Sequence, residues 1–353
     1  MRFYGNKTKL LPFIEQVVKN TGINGASNFV DLFSGTSSVG RHFKKMGYTV
    51  IANDNLEFSY ALSKTFIELN EQPTFKKLKR ELKVKDNQDI FDYLNYNKNF
   101  TEGFIYKNYC PNGHRMYFTD ANALKIDTNR TLFYEWKKND IISELEYYYL
   151  ITSLMRAINL VSNVPGTYAA YLKTWDKRAL NPLTLKQVEI IESKNPNKAY
   201  KQDANKLVKE ITPDILYLDP PYNSRQYASN YFLLELIAEG WFEKNPEIYG
   251  ETGMRKYDHQ KSDYASKTKA LNALEDLILS STKSKCVLLS YSNEGIIPKY
   301  AIEQTLKKIG ILNIHCEVHK RYKSINQTKG DPQKTVEYLF EVKPRKMVNT
   351  TNN

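Results

Sequence analysis

Two hydrophobic rhythms share this chain. Short, mostly apolar runs at residues 29–33, which contains one acid, Asp31, and at 49–52, 215–218 and 286–291 end at turn-forming residues and read as strands, with 215–218 the end of a buried parallel strand. Between them apolar residues recur at helical spacing. Leu10, Leu11, Ile14, Val17 and Val18, with Pro12 in the first turn, predict an N-terminal helix. Val39, Phe43 and Met46 predict a helix directly after the first strand, and Leu56, Tyr60, Leu62, Phe66 and Leu69 predict another over 56–70. Further helices are expected at 205–210, 230–238, 270–279 and 302–309, and the runs 311–318 and 336–342 as an antiparallel pair closing the sheet. Strands alternating with helices predict an α/β fold with a mostly parallel central sheet.

Residues 71–195 break that alternation. A long helix is expected over 140–164, where Ile141, Leu145, Tyr148, Ile151, Leu154, Met155 and Ile158 share a face and Pro165-Gly166 follows. Residues 89–117 are rich in Asn, Tyr and Phe without a clear period. Residues 243–269 are polar, with Arg255, Lys256, His259 and Lys261, and read either as a loop or flexible subdomain resting on phosphates or as a disordered surface loop. The expected organisation is a sheet domain from 1–70, 196–240 and 284–345, a mainly helical insertion at 71–195, a loop and helix insertion at 241–283, and a polar tail at 346–353. A basic loop, including Lys320, Arg321, Lys323 and Lys329, separates the last two strands.

The candidate chemistry sits at the strand ends. The first strand runs into Ser34-Gly35-Thr36-Ser37-Ser38 and a helix, and the second ends at Asn53-Asp54. Strand, glycine turn, helix, strand and acid is the layout of a βαβ nucleotide site. Gly35 lets the backbone approach a ligand, and Asp54 is placed to accept hydrogen bonds from ribose hydroxyls. The turn lacks the three glycines that a diphosphate requires, so a nucleoside without phosphates, such as S-adenosylmethionine, fits better. Asp203 ends another short strand and can accept from an adenine amino group. Asp31 lies within the first strand. Asp219-Pro220-Pro221-Tyr222 follows the fourth: two prolines stop the ladder, leaving a carboxylate, a carbonyl and an aromatic ring beyond the strand's C-terminal end, where ligands bind in open α/β sheets.

Composition narrows the partner. The 353 residues carry a formal net charge of +12 and 26 tyrosines, which favours a polyanion with stackable bases, although an AT-rich genome also enriches Lys, Asn and Tyr. The three cysteines form no CxxC pair, and Cys110 with His114 lacks a second metal-ligating pair, so no disulfide framework and no metal are expected. The cysteine pattern leads to the expectation of a reducing cytoplasm, and with no apolar leader and no membrane-spanning run no membrane partner is expected.

Phe3-Tyr4-Gly5-Asn6-Lys7, Asp31-Leu32-Phe33-Ser34-Gly35-Thr36, Asn53-Asp54, Gln202-Asp203-Ala204 and Asp219-Pro220-Pro221-Tyr222, in that order, resemble the Dam-like DNA adenine-N6 methyltransferases. The run 219–227 with Tyr231 and Glu235, together with 161–173, resembles a subgroup that includes type II modification enzymes. Ser37 departs from the pattern, which often has glycine there. The resemblance implies a Rossmann-like fold that binds S-adenosylmethionine, double-stranded DNA as the partner, and a place in a restriction-modification system beside a cognate endonuclease. It implies that Tyr4 and Lys7 contact the cofactor, Lys7 through its carboxylate. Phe33 and Gly35 would line the pocket, with Asp31 at the methionine end, Asp54 on the ribose and Asp203 on the adenine.

The expected reaction is methyl transfer to N6 of an adenine flipped out of a duplex. Asp219 and the Pro220 carbonyl would accept hydrogen bonds from the amino group, and Tyr222 would stack on the base. Two alternatives share part of this pattern: a ribosomal RNA guanine methyltransferase, which is compact and lacks such large insertions, and a non-catalytic DNA-binding protein on a decayed methyltransferase fold.

Overall fold

The computed structural model describes residues 5–24, 27–320 and 334–345. Its strands are β1 (Asn28–Asp31), β2 (Thr49–Asn53), β3 (Lys198–Tyr200), β4 (Ile215–Leu218), β5 (Ile248–Tyr249), β6 (Met254–Arg255), β7 (Cys286–Ser292), β8 (Gly310–Lys320) and β9 (Lys334–Pro344). Seven form one sheet in the order β3-β2-β1-β4-β7-β9-β8, and β5 and β6 form a separate two-stranded ribbon. β1 pairs in parallel with β2 and with β4, and β4 in parallel with β7. β9 then inserts antiparallel between β7 and β8. The α/β architecture with an antiparallel pair at one edge is as expected. No helix among the described residues is long and apolar enough to cross a membrane.

The chain divides into two compact units. Among the described residues, the sheet unit comprises 7–24, 27–55, 200–226, 261–320 and 334–345. Its core gathers Val30, Leu32, Leu216, Leu218, Val287, Leu289 and Phe340 from the strands with Leu207, Leu274, Ile278, Ile302 and Leu306 from helices. All four residues of β4 and all seven of β7 are buried, which is why β4 reads as an unbroken apolar run and β7 as an apolar one interrupted only by Ser290 and Ser292.

Among the described residues, the helical unit comprises 5–6, 56–199 and 227–260. The helices Glu57–Ser63, Asp120–Lys138, Glu144–Val161 and Phe232–Glu239 pack around one apolar core. The sequence reading instead grouped 56–70 and 227–240 with the strands. By packing, Phe58, Ala61 and Leu62 share a core with Leu154, Ile158, Leu233 and Ile237. The expected helix over 140–164 is shorter, because Ser143 and Glu146 form a capping box that starts it at Glu144. The preceding helix, Asp120–Lys138, has no counterpart in the sequence reading. Its buried face mixes the apolar Ala123, Ile126, Phe133 and Trp136 with the polar Asn122, Asp127, Thr128, Asn129 and Arg130, so its apolar stripe is interrupted.

Those polar residues make specific contacts, although Asn129 Oδ1 and Arg130 Nη1 are buried with no hydrogen bond among the described residues. Asp127 accepts from the N–H groups of Gly103, Ile105 and Tyr106, which caps the helix Phe104–Tyr109. The fully buried Arg130 donates to the Ile237 carbonyl at 2.7 Å and lies over the rings of Tyr147, Trp241 and Phe242. Glu235, also fully buried, accepts from the N–H groups of Glu57 at 2.7 Å and Phe58 at 2.9 Å, and from Gln260. Arg255 corrects the reading of 243–269 as a phosphate-contacting loop at this residue. It is only 5 % exposed and pairs with Glu239 at 3.0 Å, fastening the ribbon to the helix Phe232–Glu239.

Candidate active site

Strand order reverses at β1. The chain moves from β1 through β2 to β3 on one side, then returns to place β4 on the other. Such a switch point leaves a crevice beyond the strands' C-terminal ends, because the connections leave in opposite directions. Register fixes what borders it. Asp31 pairs with both Ala52 and Tyr217, so Asp54 and Asp219 each lie two residues beyond that row, on either side of the turn after β1.

That turn is built by backbone geometry. Gly35 has φ +50° and Ser37 φ +59°, both left-handed. The second value explains why glycine is common in the family pattern at the position Ser37 occupies: an L-residue is strained there by roughly 1–2 kcal/mol. The Ser34 N–H donates to the Asn53 carbonyl, and the Gly35 N–H donates to Asp54 Oδ2, both at 2.9 Å. The Asn53 side chain ties three strand ends together. Its Nδ2 donates to the carbonyls of Leu32 and Gln202, and its Oδ1 accepts from the Gln202 N–H, each at 3.1 Å.

Asp31 is buried. Its Oδ2 accepts from the Gly40 N–H at 3.1 Å, while Oδ1 is enclosed with no hydrogen bond among the described residues. Burial, reinforced by the charge of Asp219, pushes its carboxyl up to about 8. The hydroxyl of Tyr217 faces Ser290 without closing a hydrogen bond to it. Burial and then Asp219 oppose its ionisation.

Asp219 stands beside Lys7, whose Nζ is 3.3 Å from Asp219 Oδ1 and 3.4 Å from Glu337 Oε2. The three side chains are 4, 15 and 13 % exposed respectively. Burial pushes Asp219 up to about 6, Lys7 opposes that, and Glu337 adds to it. Lys7 also lies 5.3 Å from the centroid of the half-buried Tyr222 ring, which meets Tyr291 edge-on. Pro220 is buried behind them.

A second wall forms at the end of β3. Asp203 is exposed and caps the helix Ala204–Glu210 by accepting from the Lys206 N–H at 3.1 Å. Phe33 meets Tyr264 edge-on at 5.2 Å. Burial, and next the charge of Asp203, hold the Tyr264 phenol protonated.

Lys7, Asp31, Phe33, Gly35, Asp54, Asp203, Asp219, Pro220 and Tyr222 thus all lie in the sheet unit, at or beyond the strand ends. Tyr4 lies outside the described residues, as do Arg321, Lys323 and Lys329 of the expected basic loop. Glu337, Tyr217 and Tyr264 were not foreseen. Only Glu337 left a trace in the sequence, as an acid inside the apolar run that forms β9. No group of three or more His, Cys, Asp or Glu that could hold a metal occurs among the described residues.

Comparison with known proteins places this geometry in context. A family model described as D12 class N6 adenine-specific DNA methyltransferase matches residues 3–305. The type II methyltransferase M.FokI of Planomicrobium okeanokoites is 42 % identical over 347 residues, covering 97 % of this chain and 52 % of that protein. The modification methylase StsI of Streptococcus sanguinis is 40 % identical over 355 residues, covering 100 % and 53 %. The type II methyltransferase M.NlaIII of Neisseria lactamica is 36 % identical over 346 residues, covering 96 % and 98 %. The chain therefore spans about half the length of the first two proteins and nearly all of the third.

Proposed function

The chain belongs to the D12 class of N6 adenine-specific DNA methyltransferases, and we propose that it transfers a methyl group from S-adenosylmethionine to N6 of adenine within a short double-stranded DNA sequence, as the modification half of a restriction-modification system with a cognate endonuclease. The observation that carries this reading is the row of acceptors at the switch point: Asp219 and the Pro220 carbonyl beyond β4, with Asp31 and Asp54 on the neighbouring strands.

The residues fit the cofactor by their chemistry. Lys7 is the one cation in the set, so the crevice suits a ligand rich in hydroxyl, amino and ammonium donors better than a phosphate. Asp54 would receive the ribose hydroxyls and Asp203 the adenine amino group, with Phe33, Gly35 and Tyr264 lining the pocket. The enclosed Oδ1 of Asp31 is an acceptor without a donor, and a ligand ammonium would supply one. Lys7 has three N–H donors, enough for Asp219, Glu337 and a cofactor carboxylate. Tyr4 would add a further contact. When bound, S-adenosylmethionine supplies a methyl group on a positively charged sulfur.

The chain's own residues then prepare the nucleophile. The adenine amino lone pair is delocalised into the ring. Asp219 and the Pro220 carbonyl, held rigidly where β4 ends, accept its two N–H bonds and turn the lone pair out of the ring plane. Fixed placement contributes much of the acceleration and the preorganised acceptors the rest. Tyr222 would stack on the base once it leaves the duplex. Residues 71–195 and 241–283 are the candidates for reading the DNA.

The test is to incubate the full chain with methyl-labelled S-adenosylmethionine and either mixed-sequence duplex DNA or ribosomal RNA. Label in duplex DNA supports the reading; label confined to RNA, or absent from both, overturns it.

A further inference from the structure

The sheet face that carries Asp31 and Tyr217 is crossed by polar residues where an apolar row would be expected. Residues paired across strands project to the same face. Asp31 pairs with Tyr217, Tyr217 with Leu288, Ser290 with Leu339 and Ser292 with Glu337. Asp31, Tyr217, Ser290, Ser292 and Glu337 therefore share one side of β1, β4, β7 and β9, and Glu337 points its carboxylate at the residue that also contacts Asp219. Both acids reach the same Lys7 Nζ, at 3.4 and 3.3 Å. The contact with Asp219 lacks hydrogen-bond alignment, whereas Lys7 does donate to Glu337. The Tyr222 ring bounds the ammonium on another side.

One cation between two carboxylates cannot neutralise both. We propose that Glu337 is a positioning residue for methyl transfer: it draws the Lys7 ammonium away from full pairing with Asp219, so that Asp219 stays available as an acceptor for the target amino group. The proposal rests on the reading of Asp219 given above. As the nitrogen lone pair bonds to the methyl carbon, the carbon–sulfur pair returns to sulfur. One N–H proton then passes to Asp219, which must be ionised to take it.

The charges facing Asp219 set the direction of the effect. Lys7 comes from the turn Lys7–Leu10, Glu337 from β9, Asp31 from β1 and the Tyr217 hydroxyl from β4, while Asp54 acts on Asp31 from beyond β2. Lys7 favours the ionised form of Asp219 and Glu337 disfavours it. Neutralising Glu337 removes a negative neighbour and releases Lys7 towards Asp219. Both changes make Asp219 a stronger acid and a weaker acceptor.

The experiment measures kcat against pH on duplex DNA for the wild-type chain, Glu337→Gln and Glu337→Asp. The expected result for Glu337→Gln is an acid limb moved down by about one pH unit, a plateau reduced about tenfold, and a KM for S-adenosylmethionine changed by less than about threefold. Glu337→Asp keeps the charge, so its acid limb should stay within about 0.3 pH unit of wild type. A limb unmoved in Glu337→Gln, or moved equally in Glu337→Asp, overturns the role of Glu337 while leaving that of Asp219 intact. If Glu337→Gln does not fold, the Glu337→Asp limb decides alone, and a limb displaced by a unit or more overturns the role. Wild-type protein that methylates no adenine overturns the reading of Asp219, and this inference with it.

Discussion

Replacing Asp31 with asparagine should raise stability by an amount that grows with pH. The carboxyl titrates near 3.8 when unfolded and is pushed up to about 8 in the fold by burial and by Asp219. Between those values the folded chain holds a proton that the unfolded chain releases. Stability therefore falls as pH rises, by about 1.4 kcal/mol per pH unit. This contribution is fully present below the unfolded pKa and is lost progressively up to the folded one. Asparagine does not titrate, so the stability gap between Asp31→Asn and wild type should widen by about 3 kcal/mol from pH 5 to pH 7. The oxygen of asparagine can still accept from the Gly40 N–H. Its amide leaves an unpaired donor in place of Oδ1, a cost that is constant with pH and cancels from the difference. Urea unfolding followed by far-ultraviolet circular dichroism at pH 5, 6 and 7 measures the gap. A gap that stays constant or narrows over this range refutes the reasoning. The same variant should bind S-adenosylmethionine about tenfold more weakly, because a charge-assisted hydrogen bond is lost.

Two further substitutions test separate parts of the account. Glu235→Ala leaves the N–H groups of Glu57 and Phe58 and the side chains of Gln260 and Arg255 without their shared acceptor, so it should cost about 3–5 kcal/mol in urea unfolding; a loss below about 1 kcal/mol would contradict the network. Tyr222→Ala should lower turnover about tenfold or more, since stacking is worth about 1–3 kcal/mol per base, while calorimetric affinity for S-adenosylmethionine changes by less than about threefold. A collapse of that affinity would give the ring a different task.

The parts of the site legible in the sequence were those set by local chemistry. Asp31, Gly35, Asp54, Asp203 and Asp219 each sit on or just after a strand, and a strand end can be read from an apolar run and the turn that stops it. Asp203 also shows how one residue serves a local need, since it caps the helix that follows it. Illegible were contacts made by distant segments. Lys7 and Glu337 are 330 positions apart in sequence, and no local pattern pairs them. Tyr264 reaches Phe33 from a segment that reads as polar loop. The helix Asp120–Lys138 has no legible stripe because its buried face interleaves Ala123, Ile126, Phe133 and Trp136 with Asn122, Asp127, Thr128, Asn129 and Arg130. Ser37 was visible as a departure from the family pattern, but only its left-handed backbone gives the reason glycine is common there.

In the proposed reaction Asp219 accepts a hydrogen bond from the amino group of an adenine in duplex DNA. Mass spectrometry of nucleosides from duplex DNA treated with S-adenosylmethionine and either the wild-type chain or Asp219→Ala tests it most directly. The expected result is N6-methyladenosine as its deoxynucleoside with wild type and a loss of at least about a hundredfold with Asp219→Ala. Methylated cytosine in place of adenine, or equal yields from the two proteins, would contradict it.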